Sequence, residues 1–200
     1  MLRNKIFAVI IFLACWSEAG AQMEYTFYRM GLTGEEYKIE IGKEGKLYIS
    51  MLSVDNLSKE AGIIVKPNKA QALTVCLDTS RKKFQEWSKI ARDNNVKDFR
   101  KEIECRCKVE GFFSYGDWQF DYNVPLTFIF TMLNVGEEVY PVLMVGTGPM
   151  QSMSNQFISH DGATIVFEKD EEIVEFIRMI NPKNVEVFMN KVENKDNLFK

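Results

Sequence analysis

Histidine is almost missing from this chain: His160 is the only one in 200 residues. That scarcity removes His-rich metal sites and makes a serine–histidine or cysteine–histidine relay depend on one side chain. Cysteine is sparse as well, with four residues, and none of them shows the two-to-four-residue spacing of paired zinc ligands. No basic excess exists: 25 Lys and Arg stand against 28 Asp and Glu, which argues against a nucleic-acid partner. Long apolar runs are confined to the first sixteen residues, and "IFAVIIFLACW" (6–16) is too short for a standard membrane-spanning helix. Neither a phosphate-loop lysine nor a strand–loop–helix context accompanies the glycines of "VGTGPM", so no nucleotide or other resident cofactor is expected.

What is present begins with a leader. Arg3 and Lys5 precede the apolar run, and "SEAGA" (17–21) places Ala19 and Ala21 where a signal peptidase reads small residues. Residues 1–21 are therefore expected to be a signal peptide cleaved before Gln22, leaving 22–200 as a single exported domain, periplasmic or secreted. A lipid anchor on Cys15 is the alternative, with Phe12 a poor start for that motif. Removing Arg3, Lys5 and Glu18 with the leader leaves 23 basic and 27 acidic residues. Apolar residues make up 46% of the whole chain, with fifteen phenylalanines, so a core can be built without staples.

Strand patterns dominate the rest. Segments 24–30, 36–42, 46–54, 61–66 and 72–78 read as strands, the second and third joined by the turn "GKEG". Helical spacing appears in "TSRKKFQEWSKIARDN" (79–94), where Phe84, Trp87 and Ala91 share a face. "PLTFIFTML" and "EVYPVLMVG" are nearly continuous apolar strands, suited to burial on both faces. A polar loop follows over 146–162, then the strand "ATIVFE". "DEEIVEFIRMIN" is a helix whose acidic start suits the helix dipole, with Asp170 as a cap. A last helical pattern follows Pro182. The expected fold is α+β: a mainly antiparallel sheet of about eight to ten strands, with two or three helices packed on it.

The candidate chemistry is thin. In "KEIECRCKVEG" (101–111) nine residues alternate without a fault, which places Ile103, Cys105, Cys107 and Val109 on one apolar face of a strand. Side chains two apart on a strand are about 7 Å apart, so Cys105 and Cys107 are not bonded to each other. Three readings stay open: thiols filling the core, a disulfide from Cys76 to Cys105 or to Cys107, and a metal site of all three with His160, which lacks the usual spacing. His160, in "SHDG", reads as a solvated turn residue; Ser159 and Asp161 beside it are too close in sequence to converge on it as a triad. In "GFFSYGDWQFDY" the alternation of Trp118, Phe120 and Tyr122 reads as inward packing. Phe112, Phe113 and Tyr115, nearer the turn, are the better binding-surface candidates.

The leader ending "AGAQ", the helix "KKFQEWSKIARDNNV", the run "YGDWQFDYNVPLTFIF" and the closing "IVFEKDEEIVEFI" resemble a group of small uncharacterised secreted bacterial proteins with a domain of unknown function. That resemblance implies export and an architecture over most of 22–200, and it implies no site residue. The functional expectation is a non-enzymatic binding or protein-interaction module of the cell envelope, its partner an envelope protein or a glycan. The alternatives are a glycan hydrolase using a carboxylate pair, which needs no local motif, and an envelope enzyme inhibitor. Intact mass before and after reduction and alkylation decides the cysteines. A bridge leaves one alkylated thiol in residues 22–200 without reduction and three with it; unbridged thiols take three in both.

Overall fold

The computed structural model describes residues 22–55 and 60–198. The expected leader and its Cys15 lie outside the described residues. Among the described residues eleven strands form: β1 (Met23–Arg29), β2 (Glu36–Ile41), β3 (Leu47–Ser53), β4 (Ala61–Val65), β5 (Arg100–Glu102), β6 (Cys107–Tyr115), β7 (Asp117–Val135), β8 (Glu138–Thr147), β9 (Met150–Gln151), β10 (Ser159–His160) and β11 (Ala163–Phe167). Three α-helices accompany them: α1 (Pro67–Asp93), α2 (Asp170–Met179) and α3 (Pro182–Leu198). Nine strands share one sheet in which every pairing is antiparallel, and β9 and β10 pair apart from it. The fold is α+β.

The sheet closes through β3. Residues 47–51 of β3 pair with β4, and Leu52 and Ser53 pair with β11. The strands β3, β4, β6, β7, β8 and β11 therefore form a continuous antiparallel ring. The β1–β2 hairpin extends the sheet from the lower half of β3, through Ile39↔Ile49 and Ile41↔Leu47. Closure gives the ring an inside and an outside, and period two decides which residues go where. Ile49, Met51, Ile63, Val65, Phe113, Phe128, Val145 and Ile165 are buried on the inner face. They join one core with Leu73, Leu77 and Phe84 of α1 and Ile173 and Phe176 of α2.

The segment 72–78, expected as a strand, is helical. Pro67 opens α1 at its first turn, where a missing amide proton leaves no hydrogen bond unmade. From there Ala70, Leu73, Leu77, Phe84 and Ala91 fall on one stripe, with Cys76 and Ser80 beside it. The short apolar run with Thr74 and Val75 obeys either period, and only the 27-residue length of the helix settles it. The alternating 102–110 segment is also not one strand: β5 ends at Glu102 and β6 begins at Cys107, with 103–106 non-repetitive between them.

That break carries the disulfide. Cys76 on α1 is bonded to Cys105, Cα to Cα 5.5 Å, across 29 residues of sequence. Cys107 is a free, buried thiol, and burial pushes its ionisation up. A second tie joins the helices. Arg81 of α1 holds both carboxylate oxygens of Asp170 at 2.7 and 2.9 Å, and Gln85 adds a third bond at 2.8 Å. Asp170 is thus a helix–helix clamp rather than the cap. The capping arm is Glu172, which accepts the Glu168 and Lys169 amides at 2.7 and 3.1 Å. No helix among the described residues is long and apolar enough to cross a membrane.

Replacing Cys76 and Cys105 together by alanine removes a 29-residue loop closure. The expected loss is about 3.5 kcal/mol in urea unfolding under non-reducing conditions. Cys107 is expected to resist iodoacetamide in the native protein and to react once it is unfolded.

Candidate functional site

The outer face of the ring carries the candidate site, and a single irregularity in β7 creates it. Downstream, Val124, Leu126, Phe128 and Phe130 alternate inward. Extended backwards, that phase would bury Trp118, Phe120 and Tyr122. Between Val109↔Val124 and Gly111↔Asp121 the register slips by one residue, a β-bulge in β7. The bulge flips the upstream half. Gln119 turns inward and is 8% exposed, while Trp118 is 52% and Tyr122 59% exposed. The Asp121 carboxylate stabilises the bulge: one oxygen accepts the Asn123 amide at 3.1 Å, the other the Gln151 amide at 3.0 Å.

Outward-facing residues of neighbouring strands then line up in transverse rows. One row runs Glu40, Tyr48, Ile64, Glu110. The next runs Ser50, Gly62, Phe112, Phe120. Between them and the start of β7 lies a groove of about 440 Å³, lined by Tyr37, Tyr48, Phe112, Trp118 and Phe120, with Lys38, Glu40, Ser50 and Glu60 among its polar residues. The rings meet at angles: Tyr48 and Phe112 are 6.2 Å apart at 56°, and Phe112 and Trp118 5.6 Å apart at 68°. Gly62 makes this possible. A Cβ there would stand 2.1 Å from the Ile49 carbonyl oxygen and 2.6 Å from the Phe112 ring. The ring therefore lies against bare backbone. Gly42 does the same for Tyr48, whose ring would meet a Cβ at 2.6 Å.

Tyr37 closes one end. Its ring stacks on Tyr28 at 5.4 Å, and its hydroxyl donates to Glu35 at 2.6 Å. Burial, then that hydrogen bond, hold its phenol above the ordinary tyrosine range. Outside the groove lining, the Lys66 ammonium pairs with Glu110. That contact raises the lysine above its usual value and keeps it charged.

The sequence-derived candidates fall in different places. Tyr115 is exposed at the tip of the β6–β7 hairpin and is no part of the groove lining. Phe113 is fully buried in the core. It offers no surface, because its register partner Gln119 is on the inner face. Phe112 is 7% exposed and forms the groove's floor rather than a free platform. The inward packing expected for Trp118, Phe120 and Tyr122 is reversed by the bulge, which turns all three to the outer face. Tyr48 is not singled out in the sequence, although alternation with buried Leu47, Ile49 and Met51 puts it outside.

His160 is not a solvated turn residue either; it is 1% exposed and packs 5.2 Å from the Phe113 ring. The Gly162 amide donates to Nδ1 at 3.0 Å, so Nδ1 carries no proton. The proton sits on Nε2, which faces Ser53 Oγ at 3.0 Å. Ser53 Oγ also donates to the Asp55 carbonyl at 3.0 Å. In that tautomer Nε2 is a donor to serine and not a base for it, so the pair is a structural link. It ties the 146–162 segment to β3. The same segment is held by Ser152 and Ser154, which donate to buried Gln119 at 2.6 and 3.1 Å. The Met153 amide also donates to the Phe120 carbonyl at 3.0 Å. What reads as a long polar loop is thus a fastened flap whose Met150 is fully buried.

A smaller cleft of about 320 Å³ runs between α3 and the start of α1, walled by Leu47, Val65, Pro67, Val185 and Met189. Its lining also includes Glu44, Glu186, Asn190 and Glu193, and it is the seam where α3 meets the body. Among the described residues no group of three or more His, Cys, Asp or Glu side chains could hold a metal ion. No family model, curated protein or solved structure matches the chain. Gly62→Ala is expected to destabilise the fold by about 1–3 kcal/mol in thermal unfolding, because the nearest obstacle is a backbone carbonyl.

Proposed function

We propose that residues 22–200 form an exported, non-enzymatic binding module of the cell envelope, and that the aromatic groove on the outer sheet face holds its ligand. One observation carries this reading. Three large rings from three strands, Tyr48, Phe112 and Trp118, converge in one concave site whose lining also carries the polar side chains of Lys38, Glu40, Ser50 and Glu60. A surface that only needed solubility would not gather exposed tryptophan and tyrosine beside a groove, since each ring left in water forgoes stabilisation that burial would supply. Ligand sites combine an apolar lining with a few placed polar groups, and this groove has that composition. The Cys76–Cys105 bridge supports an oxidising compartment. A glycan-hydrolase reading draws on one further fact: Glu40 and Glu60 both line the groove. Release of reducing ends that Glu40→Gln or Glu60→Gln abolishes would favour it over simple binding.

The test is capture from an envelope fraction by immobilised 22–200. One component recovered in stoichiometric amount is expected, with recovery reduced more than tenfold by Trp118→Ala. Trp87→Phe serves as control, since Trp87 packs on Phe130 away from the groove. Equal recovery by wild type and Trp118→Ala overturns the reading.

A further inference from the structure

The groove's apolar surface is aromatic rather than aliphatic, and that distinction points to a ligand class. Trp118 is half exposed, Tyr48 and Phe120 are partly exposed, and Phe112 is wedged between Tyr48 and Trp118. The aliphatic residues Met51 and Ala61 also line it but are nearly wholly buried, so the side-chain surface they offer is small. Ring faces carry a negative quadrupole face, which attracts polarised C–H bonds and cations. The centroid steps on either side of Phe112, 6.2 and 5.6 Å, are comparable with the length of one pyranose residue along a glycan chain. Around the rings stand the groups that sugar hydroxyls need: carboxylate acceptors on Glu40 and Glu60, a hydroxyl on Ser50, and the Lys38 ammonium as donor.

Two other occupants fit less well. A small organic cation wants ring faces and net negative charge without a competing ammonium, and Lys38 lines this groove. An extended peptide docking by strand addition wants a free sheet edge. The groove instead lies over the faces of β3, β4 and β6, each of which is paired on both sides.

We infer that the groove binds an oligosaccharide, with one sugar residue stacked on Trp118 and another on Tyr48, and hydroxyls hydrogen-bonded to Glu40, Glu60, Ser50 and Lys38. This rests on the groove being the ligand site.

Calorimetric titration of residues 22–200 with the monosaccharides and tetrasaccharides of the cellulose, chitin and maltose series tests it. At least one tetrasaccharide is expected to bind, at least tenfold more tightly than its monosaccharide. Trp118→Ala and Tyr48→Ala should each weaken it roughly tenfold. Trp118→Phe, which keeps a ring, should lose less and guards against a folding artefact. In parallel, envelope extract is oxidised with periodate, which cleaves vicinal diols, or digested with protease, and each sample is offered to the wild-type protein. Loss of Trp118-dependent capture after periodate alone supports the inference. Capture that survives periodate and is lost to protease overturns it, while the groove remains the binding site. Failure of all three tetrasaccharides to bind also overturns it. Capture that never depended on Trp118 removes the groove reading itself.

Discussion

At Asp121 the inside and outside of β7 change places. Upstream of the bulge, odd-numbered Gln119 faces in; downstream, even-numbered Val124, Leu126, Phe128 and Phe130 do. An unbroken strand would have to bury Trp118 and leave Gln119 in water, or expose the phenylalanines that hold α1. The slip satisfies both halves at once. It costs one unpaired backbone site, which the Asp121 side chain covers from one oxygen while its other oxygen grips the 146–162 flap. The outward rings, the inward glutamine and the flap's anchorage therefore share one origin.

The ring depends on a similar economy in β3, whose one edge serves two strands in succession: β2 over its first residues and β11 over its last. Closure of the ring leaves few free edges among its members, which removes the usual template for edge-to-edge aggregation. Among the described residues, β1 and the short β5 each pair on one side only, and Glu24 and Arg29 on β1 are exposed charges. The same closure presses backbone against ring at Gly62.

Much of this architecture was legible in the sequence because it follows from local periodicity. The β2–β3 hairpin, the β7–β8 strands and both C-terminal helices are of that kind. The misreadings share a cause. Segment 72–78 and the half-strand 117–123 each satisfy a pattern that a non-local fact overrides. For the first, the fact is a helix begun upstream at Pro67; for the second, a register slip set by pairing with β6. His160 is a third case. Nothing near "SHDG" announces burial, because Phe113 and Ser53, which enclose it, lie 47 and 107 positions away. The groove is hidden in the sequence for the same reason. Its rings come from "LYIS", "GFF" and "DWQF", and only the strand order β3–β4–β6–β7 makes them neighbours.

Tyr48 and Phe112 rest on backbone where Gly42 and Gly62 lack side chains, and each ring braces the other. Such rings have already lost their rotational freedom when the chain folds. A ligand settling on them orders itself and the half-exposed Trp118, but not the floor. The entropic cost of recognition is thus moved from the moment of binding to the moment of folding. Selectivity then resides in which shapes a rigid floor admits, and not in how far the site can adapt.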